Sequence, residues 1–400
     1  MNEQTGNSNL IKVLFVDDEE LVLQGLKRQL RGQRKNWDMK FQKSASDALE
    51  LLSKEHMDVI VSDMRMPGMN GAELLNEVRE RWPEMVRLVL SGQTDQSELL
   101  MHIGCIHQYL QKPCDPDNLI HVVSRVHSLI SSVESSELRT VVAGLDSLPV
   151  VPEVYLRLVE ELNSDSSNAE IIAQIVQEDV GLSVKLLQLV NSTFFGMPRE
   201  ITSVKDAIVL IGMNNLVNLV LTAKIFDTLS ANAVSSAYVS KLWRDCGDLG
   251  ASAKCMAKTA GQSSDVYESA YLSGVLSHVG RALVAHSLPD LFNEIMELVK
   301  QESISISDAE LNVLGVGQEV IGAYALGIWG FAYSVIESVA RQESPNMSIV
   351  KYANHPLLWL HIARSQVGPT KSVDSIQIDA DWVKGIGLDA TDLNEYRSAA

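Results

Sequence analysis

Four short apolar runs mark the first third of the chain: Lys12-Val13-Leu14-Phe15-Val16, Val59-Ile60-Val61-Ser62, Val86-Arg87-Leu88-Val89-Leu90 and Gln108-Tyr109-Leu110-Gln111. Each has the length of a strand, and the stretches between them read as helices. Such runs predict a doubly wound parallel sheet with helices on both faces. A polar group stands at or just past the C-terminal end of every run: Asp17 and Asp18, then Asp63, then Ser91, then Lys112 followed by Pro113. In an open parallel sheet this is the edge where functional groups collect. Past Leu148-Pro149-Val150-Val151-Pro152 the period changes. Val154, Leu158 and Leu162 share a helix face, and further helices are predicted at 169–176, 182–190, 206–210 and 216–226. No strand-like alternation follows, so the fold class is α/β plus all-α. Leu119, Val122, Val123, Val126, Leu129 or Ile130, and Val133 form a near-heptad stripe before the polar Ser131–Glu137 stretch. It reads either as a signalling helix between two domains or as an ordinary last helix and a loop. The boundaries are a first domain at 10–128, a helical linker at 129–145, a helical domain at 146–342 and a C-terminal helical extension at 343–400. In that extension, Pro356–Ala363 is a helix begun at a proline.

Composition narrows the class. A chain of 400 residues exceeds one ordinary core. The formal charge of −18, from 51 acidic and 33 basic residues, argues against a nucleic-acid partner, which needs clustered Lys and Arg. Met1–Asn9 lacks the charged and apolar regions of a signal peptide, and no apolar run reaches the length of a membrane span. Cys105, Cys114, Cys246 and Cys255 form no Cys-x-x-Cys pair and read as reduced thiols. A cytoplasmic protein without membrane contact is expected.

The strand-end residues form a phosphoryl-transfer set. Three carboxylates around one pocket repel unless a cation sits among them, and hard oxygen ligands suit Mg²⁺. Asp63 can then attack phosphorus and become an acyl phosphate. Lys112 can neutralise the new oxygens, Ser91 can donate to one of them, and Tyr109 can turn inward when Ser91 is drawn over.

At these residues the chain resembles the receiver domain of two-component response regulators. The strings are Val16-Asp17-Asp18-Glu19, Ser62-Asp63-Met64-Arg65-Met66-Pro67-Gly68-Met69-Asn70-Gly71, Leu90-Ser91-Gly92 and Tyr109-Leu110-Gln111-Lys112-Pro113. The resemblance implies phosphorylation of Asp63 by a sensor histidine kinase. It implies Mg²⁺ held by Asp17, Asp18, Asp63 and the Arg65 carbonyl, and a switch made by Ser91 (usually Thr in the family) and Tyr109. It also implies a cis Lys112-Pro113 bond. Receivers often dimerise through their last strand and helix, and the stripe after Leu119 allows a homodimer.

The second domain resembles the HDOD family, through Leu148-Pro149-Val150-Val151-Pro152, Gln177-Glu178-Asp179-Val180-Gly181-Leu182, Leu189-Val190-Asn191-Ser192 and Ile201-Thr202-Ser203-Val204-Lys205-Asp206-Ala207-Ile208. That family is related to the HD hydrolases, which hold metal with a His-Asp pair and further histidines. Here His278 is followed by Val279, Arg281 takes the place of a Lys, Asp245 and Gln318 stand where a His is frequent, and Ala340-Arg341-Gln342 replaces paired histidines. Valine cannot ligate a metal. A degenerate, non-catalytic domain is expected, with His278 structural. It would bind and modulate a partner, with an HD-GYP cyclic-di-GMP phosphodiesterase as a specific candidate. Two alternatives stay open: a weak or altered metal-dependent phosphohydrolase using His278 with unrecognised ligands, Glu268 and Asp245 being residues with which His278 could in principle form a new site, and a phosphate sink for a shared kinase. Trp243, Tyr324, Trp329, Phe331, Tyr333 and Trp359 are expected mostly in the core.

Overall fold

The computed structural model describes residues 10–91, 106–112, 114–131, 138, 140–142, 157–158, 161, 168–191, 201–212, 216, 233–348, 354–367, 374, 376–388 and 396. These fall into two compact units, one built mainly on the residues up to Ser131 and the other taking up most of the chain after it.

The first unit is built on five parallel strands: β1 (Ile11–Val16), β2 (Trp37–Gln42), β3 (Val59–Asp63), β4 (Val86–Ser91) and β5 (Gln108–Gln111). They lie in the order β2-β1-β3-β4-β5. In register, Val16 of β1 pairs with Ser62 of β3, and Asp63 with Leu90 of β4. Val13–Val16, Val59–Val61 and Leu88–Leu90 are buried, as a sheet covered on both faces requires. The four expected strands are present, and β2 is a fifth that the apolar runs do not announce. Its residues past Trp37 are only half-buried, as at a sheet edge.

The connecting helices are α1 (Glu20–Gln29), α2 (Ala45–Leu52) and α3 (Gly71–Arg81), followed by the helix Pro116–Ser131 after β5. The α3 start is fixed by a capping box: the Asn70 side chain accepts from Glu73 N at 2.8 Å, and Glu73 Oε2 accepts from Asn70 N at 3.0 Å. The linker expected at 129–145 falls mostly outside the described residues.

The described secondary structure of the second unit is all helical, from Ala169–Gln177 and Val180–Asn191 through Val204–Ile211 and the long Ala233–Thr259 to Pro356–Arg364 and Ala380–Gly385. Caps set its starts: Asn168, Ser203, Ser305 and Asp379 each accept from a backbone N–H of the first turn. Pro356 opens its helix, where a missing N–H costs nothing. Helices Ala233–Thr259 and Ser264–Val275 pack backbone to backbone where Gly250 meets Gly274, and a Cβ at either would strike the other chain segment. Of the six aromatic residues expected in the core, five are buried; Tyr333 is 45% exposed. Among the described residues no single helix is long and apolar enough to cross a membrane.

Candidate functional site

The β1/β3 junction of this strand order is the topological switch point, and the polar groups gather there. Asp17 and Asp18 follow the last residue of β1, Asp63 ends β3, Ser91 ends β4 and Lys112 follows β5. Asp17 and Asp63 are buried and Asp18 is exposed. Ligand oxygens of the three carboxylates lie within 4.8 Å of one another. Lys112 reaches between two of them, with Nζ 2.7 Å from Asp17 Oδ2 and 2.5 Å from Asp63 Oδ1. Asp17 Oδ1 also accepts from Glu19 N at 2.9 Å, which fixes its rotamer. The Arg65 carbonyl belongs to the loop from β3 to α3. The side chains of Ser91 and Tyr109, and Pro113 with its peptide bond, lie outside what is described.

The electrostatics follow from this crowding. Burial pushes the Asp63 carboxyl above its ordinary value, against the pull of the Lys112 ammonium, and the Asp17 carboxylate adds to the rise. Burial opposes the charge of Lys112, but Asp17 and Asp63 together outweigh it and hold the ammonium above its usual range. Three carboxylates against one ammonium leave a double negative charge over a cluster of hard oxygens. That donor set fits a divalent oxygen-seeking cation such as Mg²⁺.

Gly71 is a residue the geometry of this cluster depends on that sequence reasoning treats only as part of a motif. Its N–H donates to the Met64 carbonyl at 2.9 Å, and a Cβ there would run into the Asp63 carbonyl oxygen. Gly71→Ala is therefore expected to destabilise the first unit by about 1–3 kcal/mol and to displace Asp63. Thermal unfolding and phosphoryl uptake check this; a variant with wild-type values of both contradicts the close approach.

In the second unit, two of the residues that stand where the resemblance expects histidine share one backbone carbonyl. Gln318 Nε2 and Gln342 Nε2 both donate to Ser277 O, at 3.1 and 2.6 Å. Ser277 Oγ donates to Gly274 O at 2.7 Å and lies 2.9 Å from His278 Nδ1. His278 is fully buried, and burial, then the guanidiniums of Arg364 and Arg281, hold its pKa well below the usual histidine value. Val279 lies against Gly322, where the helices Val279–Ser287 and Gln318–Ile328 approach too closely for a larger group. Glu268 is engaged by Lys254 at 2.6 Å. Among the described residues the one group of three or more potential metal ligands is Asp17, Asp18 and Asp63, so Asp245, Glu268 and His278 do not gather into the alternative metal site.

These histidines give the second unit a pH dependence. Burial holds His278 and His361 below their ordinary value and takes His355 down to about 4. Below about pH 6.5 the unfolded chain takes up protons that the folded one refuses, so the stabilisation is complete above about pH 6.5 and is lost as pH falls below it, down to about 4 for His355. Each contributes a slope of up to about 1.4 kcal/mol per pH unit. Glu319 acts in the opposite sense: burial, then the Glu343 charge, raises its pKa to about 7, and its contribution is lost as pH rises through 7. Thermal unfolding of the second unit should weaken steeply between pH 6.5 and 4. A flat profile there contradicts the neutral buried histidines.

A family model of the response regulator receiver domain matches residues 13–124, and the HDOD domain model matches 148–345. The hydrogenase transcriptional regulatory protein HoxA of Cupriavidus necator is 44% identical over 117 residues, 28% of this chain and 23% of that protein. An uncharacterized protein of Treponema pallidum (strain Nichols) is 21% identical over 334 residues, 78% of this chain and 64% of that protein. The chain thus spans less than two thirds of either curated relative. Among solved structures, the MmoQ response regulator of Methylococcus capsulatus str. Bath is 21% identical with a TM-score of 0.46, over 63% of this chain and 98% of that one.

Proposed function

We propose that this chain, which carries a response regulator receiver domain followed by an HDOD domain and so belongs to the response regulators, takes a phosphoryl group on Asp63 and signals through a non-catalytic HDOD domain. The observation that carries the first half is Lys112 set between the carboxylates of Asp17 and Asp63. A sensor histidine kinase is the donor. A carboxylate oxygen of Asp63 attacks phosphorus, the O–P bond forms, the N–P bond of the phosphohistidine breaks, and its electron pair stays on the imidazole. Asp17, Asp18, Asp63 and the Arg65 carbonyl would hold Mg²⁺, which when bound supplies countercharge to the phosphoryl oxygens. Lys112 supplies countercharge from just past β5, and its ammonium state is favoured by the two carboxylates. In a site of this kind position and countercharge account for most of the catalysis. Ser91, at the end of β4, donates to the new phosphoryl oxygen, and Tyr109 on β5 follows it inward. The switch works as a population shift between two receiver states.

The second half rests on what occupies the hydrolase-like positions. Two glutamines and one buried neutral histidine are tied around Ser277, and a valine stands where a carboxylate would be needed. We assign residues 10–128 to the receiver, 129–145 to the linker and 146–342 to the HDOD domain, with 343–400 as its extension. The output is contact with another cytoplasmic signalling protein, and an HD-GYP cyclic-di-GMP phosphodiesterase is the specific candidate. Elemental analysis of the full chain, with assay of cyclic-di-GMP hydrolysis, tests the non-catalytic reading. The expected result is no stoichiometric transition metal and no turnover; metal-dependent turnover lost in His278→Ala would overturn it.

A further inference from the structure

The second unit holds two guanidiniums completely away from solvent, Arg281 and Arg364. Arg281 already has a full partner. Glu310 accepts from its Nε at 2.5 Å and from its Nη2 at 2.9 Å, a side-on fork that matches one carboxylate to one guanidinium. Asp374 then adds a second carboxylate. Its Oδ2 lies 2.8 Å from Arg281 Nη2 and accepts from Ser307 Oγ at 3.0 Å. Arg364 is served differently. It donates from Nε and Nη2 to the backbone carbonyl of Asp374, at 3.3 and 3.0 Å. Its carboxylate contact, to Glu343, is long at 3.4 Å, and its buried Nη1 has no hydrogen-bond partner among the described residues. Burial disfavours the charge of Arg364 and outweighs the pull of the Glu343 and Asp374 carboxylates, and nearby Arg281 repels it further.

One residue therefore does two jobs here. The carboxylate of Asp374 answers Arg281 and Ser307 while its peptide carbonyl answers Arg364. A tetrahedral oxyanion carries acceptor oxygens enough for both guanidiniums and the hydroxyl at once, and it brings full negative charge to Arg364, which a peptide carbonyl does not. The side chain of Asp374 is 29% exposed while both arginines are at 0%, so residue 374 stands on the solvent side of them.

We propose that Arg281, Arg364 and Ser307 form a binding site for a phosphate-class oxyanion, free or ester-bound, and that Asp374 is its intramolecular occupant, displaced when the ligand binds. The site lies beside the degenerate hydrolase positions but does not depend on their reading, and it needs no metal. Binding would release the C-terminal segment from the two arginines, so ligand occupancy and the state of that segment are linked.

The test uses the full chain in EDTA, which silences a metal-dependent receiver site, with inorganic phosphate titrated by calorimetry. Asp374→Ala should bind phosphate about tenfold or more tighter than wild type, and adding Ser307→Ala should remove most of that gain. In the wild-type protein, saturating phosphate should raise hydrogen exchange in residues 376–388. This second readout stands if Asp374→Ala fails to fold. Repeating the titration with AMP separates the sources: tighter binding of AMP assigns an ester-bound phosphate, tighter binding of inorganic phosphate a free ion. Equal affinity in wild type and Asp374→Ala, or unchanged exchange in 376–388, overturns the proposal and leaves an ion-pair network that only anchors the C-terminal segment.

Discussion

Asp63→Asn is expected to take up no phosphoryl group from acetyl phosphate or a histidine kinase, while the first unit keeps its fold. Asparagine has the shape of the carboxylate but not its nucleophilic oxygen, so the rate of phosphoryl uptake should fall on the order of 10³-fold or more. The fold should survive because burial already disfavours the charge of Asp63, and Asp17 still offers Lys112 a carboxylate at 2.7 Å. Intact-mass spectrometry reads the phosphoryl group, and thermal unfolding reads the fold. Lys112→Ala is the companion variant. It leaves Asp17 and Asp63 facing each other without the ammonium and should also lower uptake, with the carboxylate nucleophile intact. If Asp63→Asn is phosphorylated at the wild-type rate, another residue is the acceptor.

Glu310→Ala should strongly destabilise the second unit, by about 3–5 kcal/mol. It strips the forked partner from an arginine with no exposure to solvent, and a buried charge without its counterion is costly. Asp374 at 2.8 Å offsets part of the loss, which places the effect at the lower end of that range. The double variant Arg281→Met/Glu310→Leu removes both fully buried charges, leaves the part-exposed Asp374 to Ser307 and solvent, and should be clearly less destabilised than the single variant. Thermal unfolding followed by tryptophan fluorescence checks this, since Trp243, Trp329, Trp359 and Trp382 all lie buried in the second unit. A double variant as unstable as the single one would mean that packing, not charge, sets the cost.

The receiver site was legible because its residues are local to strand ends. Asp17, Asp18, Asp63 and Lys112 are brought together by a parallel sheet whose apolar runs are visible in the sequence, and the structure gathers them. Strand β2 was missed for a physical reason: Trp37, Met39 and Phe41 alternate with Asp38, Lys40 and Gln42, and an edge strand half open to solvent does not need a continuous apolar run. Gly71 was visible only as a letter in a motif, because its need to be glycine depends on how closely the α3 start approaches Asp63.

The second unit was less legible where polar groups are buried. Arg281 meets Glu310 from 29 positions away and Asp374 from 93, and no local pattern announces such pairings. The glutamines at 318 and 342 could be read as substitutions for histidines, but their shared acceptor, Ser277 O, could not. The short helix Ala380–Gly385 was also missed; two buried side chains, Trp382 and Val383, give too little periodicity to recognise.

On the proposed reading, phosphorylation of Asp63 should change what the HDOD domain holds. Affinity capture with the full chain reads this, comparing beryllofluoride-loaded wild type with Asp63→Ala and identifying the bound proteins. The expected outcome is a signalling protein held in one state and released in the other, and no longer captured once residues 146–400 are removed. Identical captured sets in the two states, or a set containing only the kinase, would contradict it and favour a receiver that merely drains phosphoryl groups.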